Sequence, residues 1–450
     1  MKKMRQLTAL ILAVAILSMM AALPVSAAQR KTTFRGSQFP TVLVHGMMGW
    51  GGYETVSNTI DYFGAASGSV RTDLASQGYH DIYEASVGPL SSGWDRACEL
   101  YAQLTGTRVD YGAAHSAKYG HERYGRDYSS NPLIPGFQWS SRNKVNLVGH
   151  SFGATTIRLM HDMLADGRPE EVAACRKDGT KVSPLFTGGK RDYIYSITTI
   201  SGTNNGTDYR DALTALNDGS VKVYSLWSYA LSTLGLQEGF HDFQLDQFGI
   251  SSKNRLSALQ ILEGTSFLRH NDAGIKDFEI DRAMELNKQL QVQPNTFYFC
   301  YASDASKKNA DGTYGPIDKT FVVLKDYVRR MGRYRGQTSG TYTDGYGSQQ
   351  TTVHTTPTTL NEDYWPNDGF VNVIGEQTPF RYVNGRRSYD PHVTYTDGTT
   401  LKPGRWYVMP KYAGDHFGTI GGLFTENSSQ FHQFFRDIFR RIYSCTLTQS

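Results

Sequence analysis

The sequence predicts an α/β domain, a mostly parallel sheet covered by helices on both faces. Two observations carry the prediction. Short apolar, β-branched runs alternate with stretches whose apolar residues recur at helical spacing, and such alternation builds parallel sheets from crossover units. Near the middle of the chain, Val145-Asn146-Leu147-Val148 runs into Gly149-His150-Ser151-Phe152-Gly153 and then into the apolar periodicity of Ala154–Leu164. That is a strand, a sharp turn and a helix. The 450 residues contain no clean linker, so one large domain with insertions is expected.

The chain opens with Lys2, Lys3 and Arg5, an uncharged apolar run from Leu7 to Leu23, and small residues at Val25-Ser26-Ala27-Ala28. This is the pattern of a secretory signal peptide over residues 1–27, which predicts a secreted, extracellular protein with a single domain over 28–450. Its removal takes away three positive and no negative charges, so the net charge falls from +4 to about +1. Such a balance offers no electrostatic footprint for nucleic acid. The one basic cluster, Arg329–Arg335, reads as the solvated end of a helix begun at Phe321. No later stretch is apolar for long enough to span a bilayer, so no stable membrane insertion is expected. Cys98, Cys175, Cys300 and Cys445 are too few and too dispersed for a disulfide scaffold.

Pro40–Val44 is a buried strand that ends in His45-Gly46-Met47 and a glycine-rich loop. Further strands are expected over Gly78–Val87, Val145–Val148, Tyr193–Ile200 and Asn295–Tyr301, with helices over Trp94–Leu104 and Arg282–Val292. Two regions interrupt the alternation. Residues 203–245 begin polar and pass into the Leu-, Tyr- and Trp-rich Val221–Leu236, a composition suited to an amphipathic lid over an apolar pocket. Residues 336–363 are dense in Gly, Thr, Ser and Tyr and read as a long surface loop or small hairpins.

The turn at Ser151 is where chemistry is expected. A strand–Gly-x-Ser-x-Gly–helix turn holds its serine at a strained φ/ψ, where side chains at Gly149 and Gly153 would collide with neighbouring backbone. It lifts the hydroxyl to the carboxyl end of the sheet. A nucleophilic serine needs a base, and the base needs a carboxylate to fix its tautomer. On this scaffold the acid and then the histidine follow the serine in the chain. Asp368, in an Asp-Gly turn before an apolar run, is the candidate acid, with Asp363 and Glu362 as competitors. His416, in a flexible loop after the strand Trp406–Met409, is the candidate base, ahead of His392 and His432. The backbone N–H groups of Met47 and Phe152 are the candidate oxyanion donors.

With these residues assembled, the chain resembles the thermoalkalophilic lipases of the bacillus and staphylococcal type, within the α/β-hydrolase superfamily. The resemblance is strongest over Val87–Glu99 and Val109–His115, and extends to Thr198–Ile200 and Phe243–Gly249. It implies a carboxylester hydrolase, a triacylglycerol lipase, with the triad Ser151, Asp368 and His416 and a lipid or ester substrate met at an interface. A hydrolase of polymeric or short-chain esters is the alternative, and a catalytically silent binding protein on the same fold the more distant one. The resemblance also implies a structural zinc ion on Asp95, His115, His121 and Asp246, pinning the insertion that bears the lid. Two imidazoles and two carboxylates make a neutral, closed four-coordinate site for such an ion. Departures from the family are Gly149 and Phe152 in the pentapeptide, and Gly418 and Leu423 where calcium ligands would stand. Bound calcium is therefore doubtful.

Overall fold

The computed structural model describes residues 39–214, 242–250, 267, 270–422 and 428–445. The signal peptide and most of the expected lid, including Val221–Leu236, lie outside the described residues, as does Leu423.

Seven strands form the central sheet: β1 (Thr41–Val44), β2 (Ile82–Ala85), β3 (Val145–His150), β4 (Ile194–Ile200), β5 (Phe297–Tyr301), β6 (His392–Thr394) and β7 (Arg405–Val408). Their order is β6-β7-β5-β4-β3-β1-β2. Every neighbouring pair is parallel. The expected strands are present; most are shortened at their ends, while that expected over Val145–Val148 runs on to His150 and that over Trp406–Met409 is shifted by one residue. The three-residue edge strand β6 is an addition, in a segment that reads as polar and turn-rich.

The apolar runs are continuous because the sheet is buried on both faces, and the period of two then sorts each strand between two cores. Val42, Val44, Leu147, Tyr298 and Cys300 point to one core. Leu43, Val148, Phe297, Phe299 and Tyr301 point to the other. The first core is covered by α1 (Gly93–Thr105) and α3 (Gly153–Asp166), and a short α2 (Ala113–Tyr119) follows α1. Beyond them come α4 (Ile280–Gln289) and α5 (Lys325–Met331). Helix α5 starts four residues later than Phe321 suggested, since Leu324 serves as its N-cap. The second core is covered by α6 (Ser428–Ser444), which buries Phe431, Phe435, Ile438, Phe439 and Ile442 along one stripe. All four cysteines are buried and unbridged.

Residues 336–363 form small ladders, Gly336–Gln337 with Thr359–Leu360 and Thr341–Asp344 with Thr351–His354. The second hairpin is anchored to α2 by Lys118 Nζ to Asp344 Oδ2 at 2.6 Å and by Tyr346 N to Lys118 O at 3.0 Å. Among the described residues no helix is long and apolar enough to cross a membrane.

Candidate active site

Parallel strands present all their carboxyl ends on one side, and there the chain after β1, β3, β4 and β5 converges. Ser151 follows β3 with φ +54°, the left-handed conformation expected of the turn. A Cβ at Gly149 would lie 2.5 Å from the Gly153 carbonyl carbon, and one at Gly153 only 2.3 Å from Val44 O. The loop after β1 also comes close, since a Cβ at Gly46 would stand 2.7 Å from Ser151 Cβ and 3.1 Å from its Oγ. Among the described residues the amides of Met47 and Phe152 donate to no other group. Arg96, fully buried on α1, clamps this loop through Nη2 to His45 O at 2.5 Å and Nη1 to Gly88 O at 2.9 Å. Its guanidinium lies 5.1 Å from the centre of the Phe152 ring. The Phe152 side chain is fully buried and joins an apolar cluster, with its ring 5.7 Å from that of Phe278.

Asp368 and His416 are buried and meet at 2.6 Å, Oδ2 to Nδ1. The Asp-Gly turn does what its sequence suggests. Asp368 Oδ1 accepts the amides of Phe370 (2.8 Å) and Val371 (2.7 Å), while Oδ2 also accepts the Ser303 hydroxyl at 2.8 Å. Burial works to raise the Asp368 pKa, but the charge and hydrogen bond of His416, with these amides, outweigh it and hold it below the usual carboxylate value. The competing residues lie elsewhere. Asp363 and Glu362 form exposed ion pairs with Arg387 and Arg335. His392 contacts Asp390 O, and His432 contacts Ser67 O.

A second layer fixes His416 from behind. Carbonyl oxygens only accept, so His150 Nε2, 3.2 Å from His416 O, carries the proton of that ring. Its Nδ1 then accepts from Tyr62 OH at 2.8 Å, and Tyr62 OH accepts the Gly46 amide at 3.0 Å. One hydrogen-bond chain therefore links the β1 loop to the His416 loop. Burial, then the charge of His416, pushes the His150 pKa well down, consistent with a neutral ring. Beside the serine, Phe152 packs with Met48, Leu90, Phe243, Phe267 and Phe278 in an apolar cluster distinct from the two cores of the sheet.

A second constellation corrects one expected residue. Asp95 on α1, His115 on α2, His121 and Asp272 place one donor atom each within 4.8 Å of one another. His115 Nε2 is 3.2 Å from Asp95 Oδ1 and 3.3 Å from Asp272 Oδ2, and His121 Nε2 is 3.2 Å from Asp272 Oδ2. Asp246 is not in this group. Its side chain is 46% exposed and paired with Arg126 Nη2 at 2.5 Å. The block around it does border the cluster. Gln247 donates to Asp95 Oδ2 at 2.9 Å, and the Phe248 ring packs on His121. Asp272 lies in His270-Asn271-Asp272, which has no periodicity to mark it.

The donor set suits a divalent cation. Asp95 Oδ1, Asp272 Oδ1 and His121 Nε2 are buried without a hydrogen-bond partner among the described residues. His121 Nδ1 lies 2.8 Å from Glu122 O and so carries the hydrogen, leaving the Nε2 lone pair facing the cluster. Burial works to lower the His115 pKa, but the charges and hydrogen bonds of Asp272 and Asp95 outweigh it and raise the value to about 10.

Residues 37–345 match the family described as "Lipase-like, C-terminal domain". A lipase of Staphylococcus epidermidis is 32% identical over 387 residues, 85% of this chain and 50% of that protein. The chain thus spans about half the length of the curated relatives it matches. Among solved structures, EstA from Clostridium botulinum is similar with a TM-score of 0.75 at 28% identity, covering 98% of each chain. The Staphylococcus hyicus lipase gives 0.72 at 27% identity, covering 92% of this chain and 98% of that one.

Proposed function

The chain belongs to this lipase-like family, of the staphylococcal type, and on that premise we propose that it is a secreted serine carboxylester hydrolase acting as a triacylglycerol lipase. The observation that carries the proposal is Ser151 at φ +54° on the carboxyl end of the sheet, served from the same end by a buried His416–Asp368 pair 2.6 Å apart. Because Nδ1 of His416 is committed to Asp368, Nε2 is the atom left to take the Ser151 proton. Ser151 Oγ then attacks the ester carbonyl, and the Met47 and Phe152 amides hold the tetrahedral oxyanion. Collapse breaks the bond to the alcohol, which leaves with the proton from His416. Water deprotonated by His416 then cleaves the acyl-enzyme. Met47, half-buried against the apolar cluster of Met48, Phe243 and Phe267, is the side chain along which the acyl chain would lie.

Asp95, His115, His121 and Asp272 are the residues that would hold a structural zinc ion. A closed set of four protein ligands leaves no open position for substrate, so the ion supplies a cross-link and no chemistry at the ester.

Initial rates on p-nitrophenyl esters from acetate to palmitate, below and above substrate aggregation, test the assignment on wild type and Ser151→Ala. The expected result is activity on long, aggregated chains that falls by several orders of magnitude in the variant. Serine-dependent activity confined to short soluble esters would move the function to an esterase or polymer hydrolase. Full activity in a folded Ser151→Ala protein would end the proposal.

A further inference from the structure

Behind Asp368 stands a second carboxyl group that the mechanism does not use. Glu376 ends the short helix Val373–Glu376 and is completely buried. Its Oε2 accepts the Ser303 amide at 2.5 Å, and its two oxygens lie 3.3 and 3.5 Å from Ser303 Oγ. The same Oγ is 2.8 Å from Asp368 Oδ2 and 2.8 Å from Ser201 Oγ. Ser201, which follows β4 with φ +47°, lies 3.0 Å from Thr419 Oγ1, and Thr419 donates to His416 O at 2.9 Å. A closed ring of hydroxyls thus runs behind the His416–Asp368 pair, with Glu376 attached to it at Ser303.

The hydrogens of this ring can be counted. Thr419 spends its one hydrogen on a carbonyl. Ser201 has one hydrogen for either hydroxyl neighbour. Ser303 has one, and giving it to Asp368 leaves nothing between Ser303 Oγ and the Glu376 carboxyl. An ionised Glu376 would then face the Ser303 lone pairs without a hydrogen, and Asp368 would carry a second buried negative charge just beyond. A proton on Glu376 removes both conflicts, because the acid can donate to the hydroxyl that donates to Asp368.

We propose that Glu376 is a neutral carboxylic acid that acts as a positioning residue, holding Ser303 and through it Asp368 in register with His416; this rests on the triad assigned above. Two buried carboxyls sharing one hydroxyl keep a proton between them, and the pair titrates as a unit. His416 determines which of the two is ionised, since its imidazolium is stabilised by the carboxylate it touches. Burial, then the Asp368 charge, raises the Glu376 pKa well above the usual value. The titratable groups around the pair are His416, His150 behind it, and Asp415, whose carboxylate accepts the amides of Phe321, Phe417 and Gly418. Among the described residues no lysine or arginine forms an ion pair with Glu376. At high pH the pair loses its last proton, the two charges repel, and the rate falls.

The test is the pH dependence of kcat and KM for p-nitrophenyl butyrate in wild type, Glu376→Ala and Glu376→Gln, with fluorophosphonate labelling of Ser151 as a control. Glu376→Ala is expected to lower kcat about tenfold with KM held, and the isosteric, neutral Glu376→Gln to restore most of that loss. Glu376→Gln should keep the acid-limb midpoint of wild type and move the alkaline fall upward. A midpoint lowered by about one pH unit in Glu376→Gln would mean that a resting negative charge had been removed, and would overturn the proposal. So would a Glu376→Ala enzyme with the wild-type rate at every pH. Wild type that fails to label at Ser151 would instead bring down the triad itself, a failure distinct from that of Glu376.

Discussion

A single β-carbon decides whether the β3–α3 turn can form. At Gly153 it would stand 2.3 Å from the Val44 carbonyl oxygen, a backbone atom of β1 with no room to retreat. Gly153→Ala should therefore cost about 3 kcal/mol in urea unfolding and reduce ester hydrolysis. An unchanged midpoint would show that the close approach is relaxed at little cost. The need for small residues here was legible in the sequence from the Gly-x-Ser-x-Gly turn after its strand, but the atom that enforces it at Gly153 belongs to β1, a neighbour that only the sheet brings there. Asp368 was half legible. Its Asp-Gly turn stood out, but Asp363 and Glu362 lie within six residues, and only folding sends those two to surface arginines. Ser303, Ser201, Thr419 and Glu376 carried no signal. Their roles come from packing at the ends of two strands and two loops, at sequence separations that no spacing rule reaches.

At the scale of elements, periodicity was a good guide wherever an element is buried on a definite face. Helix α6 shows apolar residues at 431, 435, 438, 439 and 442, and that stripe seals the second core with Phe63, Phe297 and Tyr301. Phe435 is fully buried, with its ring centroid 6.0 Å from that of Phe63 and 5.2 Å from that of Phe431. Phe435→Ala should destabilise the protein by about 3–5 kcal/mol, measured by thermal or urea unfolding. A cost below about 1 kcal/mol would mean that α6 is not part of the cooperative core. Where an element is short or polar the same signal fails. Strand β6 has three residues and is set by pairing to β7 alone, His392 with Trp406 and Thr394 with Val408.

At the scale of the molecule, the Asp/His cluster proposed to hold zinc gathers distant segments. Asp95 comes from α1, His115 and His121 from α2 and the turn after it, and Asp272 from the far side of the expected lid. The hairpin after α5 closes over the same place, with the Tyr346 ring stacked on His270 at 4.6 Å and Asn271 Nδ2 donating to Gly345 O at 2.8 Å. An ion here would cross-link chain stretches that are far apart in the sequence. Purified protein should contain about one equivalent of zinc per chain, and chelation should lower its melting temperature by about 5 °C or more. Asp272→Asn should lose the metal, whereas Asp246→Asn removes only an exposed ion pair and should keep it. Metal retained in Asp272→Asn, or lost in Asp246→Asn, would reverse the ligand assignment.

The sequence by itself determined the α/β class and the serine turn with its two glycines, and it singled out Ser151, Asp368 and His416, in that chain order, as the candidate triad. Each of these follows from local periodicity, turn sterics or chain order. The tertiary structure alone decided which aspartate joins Asp95, His115 and His121, which histidine and carboxylate meet, and that a second acid stands behind Asp368. Those outcomes depend on through-space distances of a few ångströms between side chains up to hundreds of residues apart. They are set by how layers pack, and a linear pattern does not encode them.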